Sequence, residues 1–173
     1  MCKILFPDGT SNSAYVIDYK KLYDKGIRGL LFDIDNTLVE HGADANRDSD
    51  RLIRNLKGMG FKICILSNNK EERVLRFLKN VSTEYIYKAH KPSKKPYSEA
   101  MEKLGTDVSS TVFIGDQLFT DILGAKRTGI RCILVKKIAR HEEIQIVLKR
   151  ILEKPVLVFY HLYRIKHPSE FFS

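Results

Sequence analysis

Four aspartates, a serine and a lysine in this 173-residue sequence stand at or just beyond short apolar runs, and their types and order suit chemistry at phosphorus. Asp33 and Asp35 follow the run 29–32 in the segment FDIDNTLV. Ser67, Asn68 and Asn69 follow FKICIL, Lys91 precedes a helical stretch that begins at Tyr97, and Gly115-Asp116 follow TVFI, with Asp121 five positions on. Phosphoryl transfer needs an in-line attacking oxygen, a cation to offset the charge of carboxylate and phosphate, donors for the equatorial oxygens, and an acid for the leaving group. Asp33 can supply the nucleophilic oxygen. Asp35 can protonate the leaving oxygen and later deprotonate water. The Ser67 hydroxyl and the Lys91 ammonium can hold phosphate oxygens, while Asp33 and Asp116 offer hard oxygen ligands to a magnesium ion, with Asp121 as a further or water-mediated carboxylate.

Such residues must be brought together by the elements that carry them. Apolar runs at 29–32, 61–66, 85–87, 111–114 and 132–135 alternate with helical spacing at 49–59, 70–80, 97–104 and 121–128. That alternation predicts a doubly wound α/β domain, a mainly parallel sheet with helices on both faces. In such a sheet the strand ends that carry the polar residues share one edge, where ligands bind. One domain over 1–154 is expected, with a leading segment 1–26, a motif-bearing core 27–139 and a packing helix 140–154. The leading segment is read with a turn at Pro7-Asp8-Gly9 and a short helix near 19–23. In the packing helix Ile144, Val147, Leu148 and Ile151 form one stripe. The tail 155–173 is basic and aromatic, is interrupted by proline and histidine, and is assigned no regular structure.

Composition narrows the partners. Apolar residues make up 43% of the chain, enough for one core, and the net charge of +9 favours polyanions: phosphorylated ligands, nucleic acid or an anionic membrane. Three cysteines (Cys2, Cys64 and Cys132) are too few and too scattered for a disulfide framework, which points to a reducing, cytoplasmic setting. No secretory leader is read at the start, and the most apolar stretch, 156–163, is far too short to span a bilayer. The five histidines show no metal-ligand spacing. Nothing resembles a zinc finger, a recognition helix or an RNA-binding aromatic motif, so nucleic acid is not the expected partner.

FDIDNTLV, LSNN, Lys91-Pro92 and GDQLFTD, in that order, resemble the four motifs of the haloacid-dehalogenase-type phosphatase superfamily. The resemblance implies a Rossmann-like fold, Mg2+ and an aspartyl-phosphate intermediate. It implies that Asp35 gives the metal its backbone carbonyl, beside Asp33 and Asp116, and keeps its side chain for proton transfer. It also places Asn68 with Ser67 and Lys91 around the phosphate and Thr37 in the supporting loop. The leading LFPD, KGIRGLLFDIDNTLV and GDQLFTDILGAKRTG are similar to the capless bacterial subclass IIIA family related to phosphatidylglycerophosphate phosphatases, although an asparagine is common there where this chain has Lys126.

The spacing agrees with the absence of a cap: 34 positions from Asp33 to Ser67 and 24 from Ser67 to Lys91 leave room for one helix and one strand each. An uncapped site gains water exclusion from a large substrate or a membrane lipid headgroup, which makes peripheral contact with the inner membrane face an expectation. A capless phosphatase for a nucleotide or phosphoprotein is the alternative within the enzymes. Outside them stand a phosphorylation-dependent module and a nucleic-acid-binding module on the same scaffold. A receiver domain would place its acidic pair on the first strand and its phosphorylated aspartate on a later one, the reverse of this order.

Overall fold

The computed structural model describes residues 3–138 and 144–166. Its centre is a six-stranded, wholly parallel sheet in the order β1-β6-β5-β2-β3-β4. The strands are β1 (Gly9–Ser11), β2 (Gly29–Phe32), β3 (Lys62–Leu66), β4 (Glu84–Ile86), β5 (Thr111–Gly115) and β6 (Arg131–Val135). From β2 the chain winds outward through β3 to β4, then returns to β5 on the other side of β2 and winds the opposite way to β6. The reversal makes the β2/β5 boundary the topological switch point.

Alternation of side chains along each strand builds two apolar layers. Leu30, Phe32, Ile63, Ile65, Val112 and Ile114 join one layer, which is covered by α1 (Tyr19–Asp24), α2 (Arg47–Gly58) and α3 (Glu71–Phe77). Leu31, Cys64, Leu66, Phe113, Cys132 and Leu134 join the other, which meets α4 (Lys95–Leu104), α5 (Leu123–Thr128) and part of α6 (Ile144–Lys166). Burial on both faces explains why the strands read as unbroken apolar runs. Local signals agree with the helix starts: Asn46 accepts from the Ser49 N–H while Ser49 Oγ accepts from the Asn46 N–H, a reciprocal cap on α2. Between β2 and β3, and again between β3 and β4, the chain forms one helix and its loops. No cap domain is inserted at either place.

Two expectations are corrected at the ends of the chain. Gly9, read as part of a turn, begins β1, which pairs with β6: Asp8 N–H donates to Cys132 O at 2.9 Å and Lys136 N–H to Ser11 O at 3.1 Å. Gly-Thr-Ser carries no apolar signal; pairing with β6 makes it a strand. The tail, read as irregular from residue 155, is helical through Pro155 to Lys166, while its last seven residues lie outside the described residues. A proline inside a helix costs about 3 kcal/mol, but burial of Tyr160 against Phe6 and packing of Val156 and Leu157 on the domain oppose that cost. Of the expected apolar stripe, Ile151 is 54% exposed while Glu153 is buried against the domain, and the side chains of Ile144, Val147 and Leu148 lie outside the described residues. The expected helix onset at residue 140 falls outside the described residues.

Candidate active site

Asp33 is the first residue beyond β2, and its N–H still donates to Ile114 O at 3.0 Å, so the sheet fixes its backbone against β5. The chain then turns through Asn36, which has a φ of 63°, a left-handed conformation that asparagine tolerates better than most residues. The turn separates the fates of the two neighbouring carboxylates. Asp33 faces Lys91, whose Nζ lies 2.6 Å from its Oδ1. Asp35 faces α3 and the loop before α2. It accepts from Gly42 N–H at 2.7 Å, Asn69 Nδ2 at 2.7 Å and Arg73 Nη2 at 2.9 Å.

Lys91 is 7% exposed and bridges Asp33 to Asp121, 2.8 Å from the latter's Oδ1, while donating to Leu66 O at 3.1 Å. Asn68 holds the backbone of Lys91 in place: its Oδ1 accepts the Lys91 N–H at 2.8 Å and its Nδ2 donates to Lys91 O at 3.4 Å. Its side chain therefore positions the lysine in this arrangement. Ser67 is buried at the end of β3, and its Oγ accepts from Asn69 N–H at 3.2 Å.

Beyond β5, Thr37 Oγ1 donates to Asp116 Oδ1 at 3.2 Å, tying the first loop to the fourth. Asp121 sits in a π-helical turn, Leu118–Ile122, that precedes α5, and its Oδ2 accepts from the N–H groups of Asp116 and Gln117. This close tuck demands glycine at 115, where a Cβ would fall 2.5 Å from Asp121 Oδ2. The Tyr97 hydroxyl, within 3.2 Å of Thr120 O and Asp121 O, supports the same turn from α4.

The carboxylates of Asp33, Asp116 and Asp121 offer ligand atoms all within 4.8 Å of one another, and all three residues are buried. With Lys91 as the ammonium between Asp33 and Asp121, the ionised cluster has more negative than positive charge. Burial pushes the Asp33 carboxyl well above its ordinary range, opposed by Lys91 and reinforced by Asp121 and Asp116. Burial alone would lower the pKa of Lys91, but Asp121 and Asp33 outweigh it and hold the ammonium firmly charged. A hard-oxygen cluster with surplus buried negative charge fits a divalent cation.

The fold thus gathers Asp33, Asp35, Thr37, Ser67, Asn68, Lys91, Asp116 and Asp121 at one edge, around the switch point. Asp121 stands with Asp33 and Asp116 in the cluster. Sequence reading assigned no role to Arg73 or Asn69, the partners of Asp35, or to Tyr97. Arg73 lies in the first turn of α3 with no motif around it, and only the approach of α3 to the Asp35 loop reveals it.

Comparison with known proteins places the chain in a family. The haloacid dehalogenase-like hydrolase family model matches residues 40–135. The chain is 35% identical over 158 residues to the Bacillus subtilis protein named Probable phosphatase YqeG, covering 90% of this chain and 91% of that one. It is 27% identical over 141 residues to an Arabidopsis thaliana protein named Phosphatidylglycerophosphate phosphatase 1, chloroplastic/mitochondrial, covering 76% of this chain but only 40% of the relative. Among solved structures, NagD from E. coli K-12 matches the fold with a TM-score of 0.54 at 13% identity, covering 65% of this chain and 89% of NagD. The chain belongs to the haloacid dehalogenase-like hydrolases and is a phosphatase.

Proposed function

We propose that the chain is a magnesium-dependent phosphomonoesterase that works through an aspartyl phosphate on Asp33, with a membrane-lipid phosphate such as that of phosphatidylglycerophosphate as its substrate. The observation that carries the reading is the buried cluster of Asp33, Asp116 and Asp121 with Lys91 between two of its members. In the first step an Asp33 carboxylate oxygen attacks phosphorus, the bond to the leaving oxygen breaks, and Asp35 delivers a proton to that oxygen. In the second step Asp35 takes a proton from water, whose oxygen attacks phosphorus, and the bond to Asp33 breaks to release inorganic phosphate. Ser67 and Lys91 hold phosphate oxygens, Asn68 fixes Lys91, and Arg73 and Asn69 orient Asp35. Mg2+, held by Asp33, Asp116 and the Asp35 carbonyl, with Asp121 directly or through water, would offset the negative charge that the attacking carboxylate and the phosphate bring together.

The lipid substrate is supported by the uncapped edge, which leaves water exclusion to the substrate's own surroundings, and by the name of the plant relative. A phosphate-release screen with Mg2+ tests it, comparing phosphatidylglycerophosphate in anionic vesicles with soluble sugar phosphates, nucleotides and phosphopeptides. The lipid is expected to give the highest kcat/KM. A soluble phosphoester hydrolysed far faster would replace it as the substrate class and leave the phosphatase chemistry standing.

A further inference from the structure

Helix α6 has apolar residues on two faces, and the domain uses only one. On the inner face Tyr160 is fully buried with its ring 5.7 Å from that of Phe6, Tyr163 stands 5.5 Å from the same ring, and Val156 and Leu157 pack on the core. Buried Glu153 accepts the Leu118 N–H at 2.7 Å, which locks this face in phase. On the outer face Ile151, Leu152, Val158, Phe159, Leu162 and Ile165 are between 51% and 77% exposed. Their spacing of three, four and seven residues places them in one continuous stripe along the helix. Scattered surface apolar residues need no explanation, but a stripe of six large ones does.

We propose that this stripe docks on an anionic lipid surface, with α6 lying in the plane of the headgroups. Charge selects the occupant. Exposed Lys154 and Lys166 lie on the same helix as the stripe, as amphipathic helices at lipid interfaces require. Through the Glu153–Leu118 contact the helix is anchored two residues beyond Asp116, at the catalytic edge. The loops of that edge present exposed Lys70, Lys88, Lys94 and Lys136, and α4 begins with exposed Lys95. A second copy of a chain with a net charge of +9 would bring like charge against like, whereas an anionic surface is complementary. Among the described residues no helix is long and apolar enough to cross a membrane, so α6 lies on the surface instead of spanning it. Docking there would hold the uncapped catalytic edge beside the lipid surface.

The proposal goes beyond the phosphatase reading and is tested apart from it, because vesicle binding needs no substrate and hydrolysis of a soluble phosphoester needs no vesicle. The full chain is sedimented with vesicles of phosphatidylcholine and phosphatidylglycerol in equal parts, and with phosphatidylcholine alone. It is expected to bind the mixed vesicles and not the neutral ones. The double variant Phe159→Asp, Leu162→Asp is expected to bind the mixed vesicles about tenfold more weakly or worse. Its thermal midpoint should change little, since both side chains are more than half exposed. Absence of binding by the parent chain, or equal binding to neutral vesicles, overturns the proposal. So does undiminished binding by the folded variant, or a vesicle-free dimer that the two substitutions dissociate, which would assign the stripe to a second copy.

Discussion

Two aspartate–lysine contacts in this molecule use the same side chains for different ends. At the candidate active site Lys91, 3% exposed in its side chain, lies between Asp33 and Asp121 with Asp116 close by. Toward the opposite end of the sheet Lys126 meets Asp8 alone at 2.7 Å, both side chains about a quarter to a fifth exposed, and the other Asp8 oxygen accepts the Cys132 N–H at 2.9 Å. The second pair is balanced and staples the leading segment to α5, while the Cys132 bond ties it to β6. The first is buried and left with surplus negative charge, an arrangement of little use for stability alone but well suited to a cation and a phosphate. Charge imbalance under burial, more than the presence of ion pairs, separates the site from the scaffold.

The comparison breaks most sharply at Asp33. Asp33→Asn removes the proposed nucleophile and should lower phosphate release by about three orders of magnitude or more. Its thermal midpoint should stay level or rise, because a carboxylate that burial disfavours has gone. Steady-state phosphate release and circular dichroism measure both effects on one sample.

Next comes Lys91→Met, which leaves the carboxylates without their ammonium. In chelator the variant should lose about 3–5 kcal/mol in urea denaturation, and added magnesium should return part of it. The loss should depend on pH. A carboxyl whose folded pKa lies above its unfolded value contributes stability below the unfolded pKa and loses it as pH rises through the folded one. Asp33 is already shifted upward by burial, and removing Lys91 takes away its main counter-charge. The variant should therefore recover toward acid pH and weaken as pH rises; a pH-independent loss would mean that Asp33 is not the group left unpaired.

Smaller is Asp116→Asn, expected to raise the magnesium concentration for half-maximal activity about tenfold or more, since ligand charge tunes such sites. The smallest effect belongs to the staple. Lys126→Asn should cost about 1 kcal/mol of stability in urea and leave kcat unchanged. A loss of kcat there would show that the two regions are coupled.

How far the sequence foretold this contrast depends on the origin of each signal. Asp33, Ser67, Lys91 and Asp116 were legible because each follows an apolar strand or occupies the loop before a helix, and a doubly wound sheet sends those positions to one edge. The two-layer sheet was legible for the same reason, as in the apolar runs 29–32 and 111–114. Arg73 was hidden, since its meeting with Asp35 depends on how α3 packs and no local period encodes that. The strand at Gly9–Ser11 was hidden because its partner is more than a hundred residues away in β6. The course of α6 was misread because proline predicts a break, while contacts of Tyr160 and Glu153 with distant parts of the chain favour the continuous helix. Local chemistry spoke through the motifs, and long-range packing did not.

The most direct measurement of the central claim is the site of phosphorylation in the Asp35→Asn variant, which should form the phosphoenzyme but turn it over slowly. Acid quench after mixing with substrate and magnesium, followed by peptide mass spectrometry, should find one phosphate adduct on the peptide containing Asp33 and none in the Asp33→Asn, Asp35→Asn double variant. An adduct on another residue, or phosphate release that persists at the parent rate in Asp33→Asn, would contradict the account.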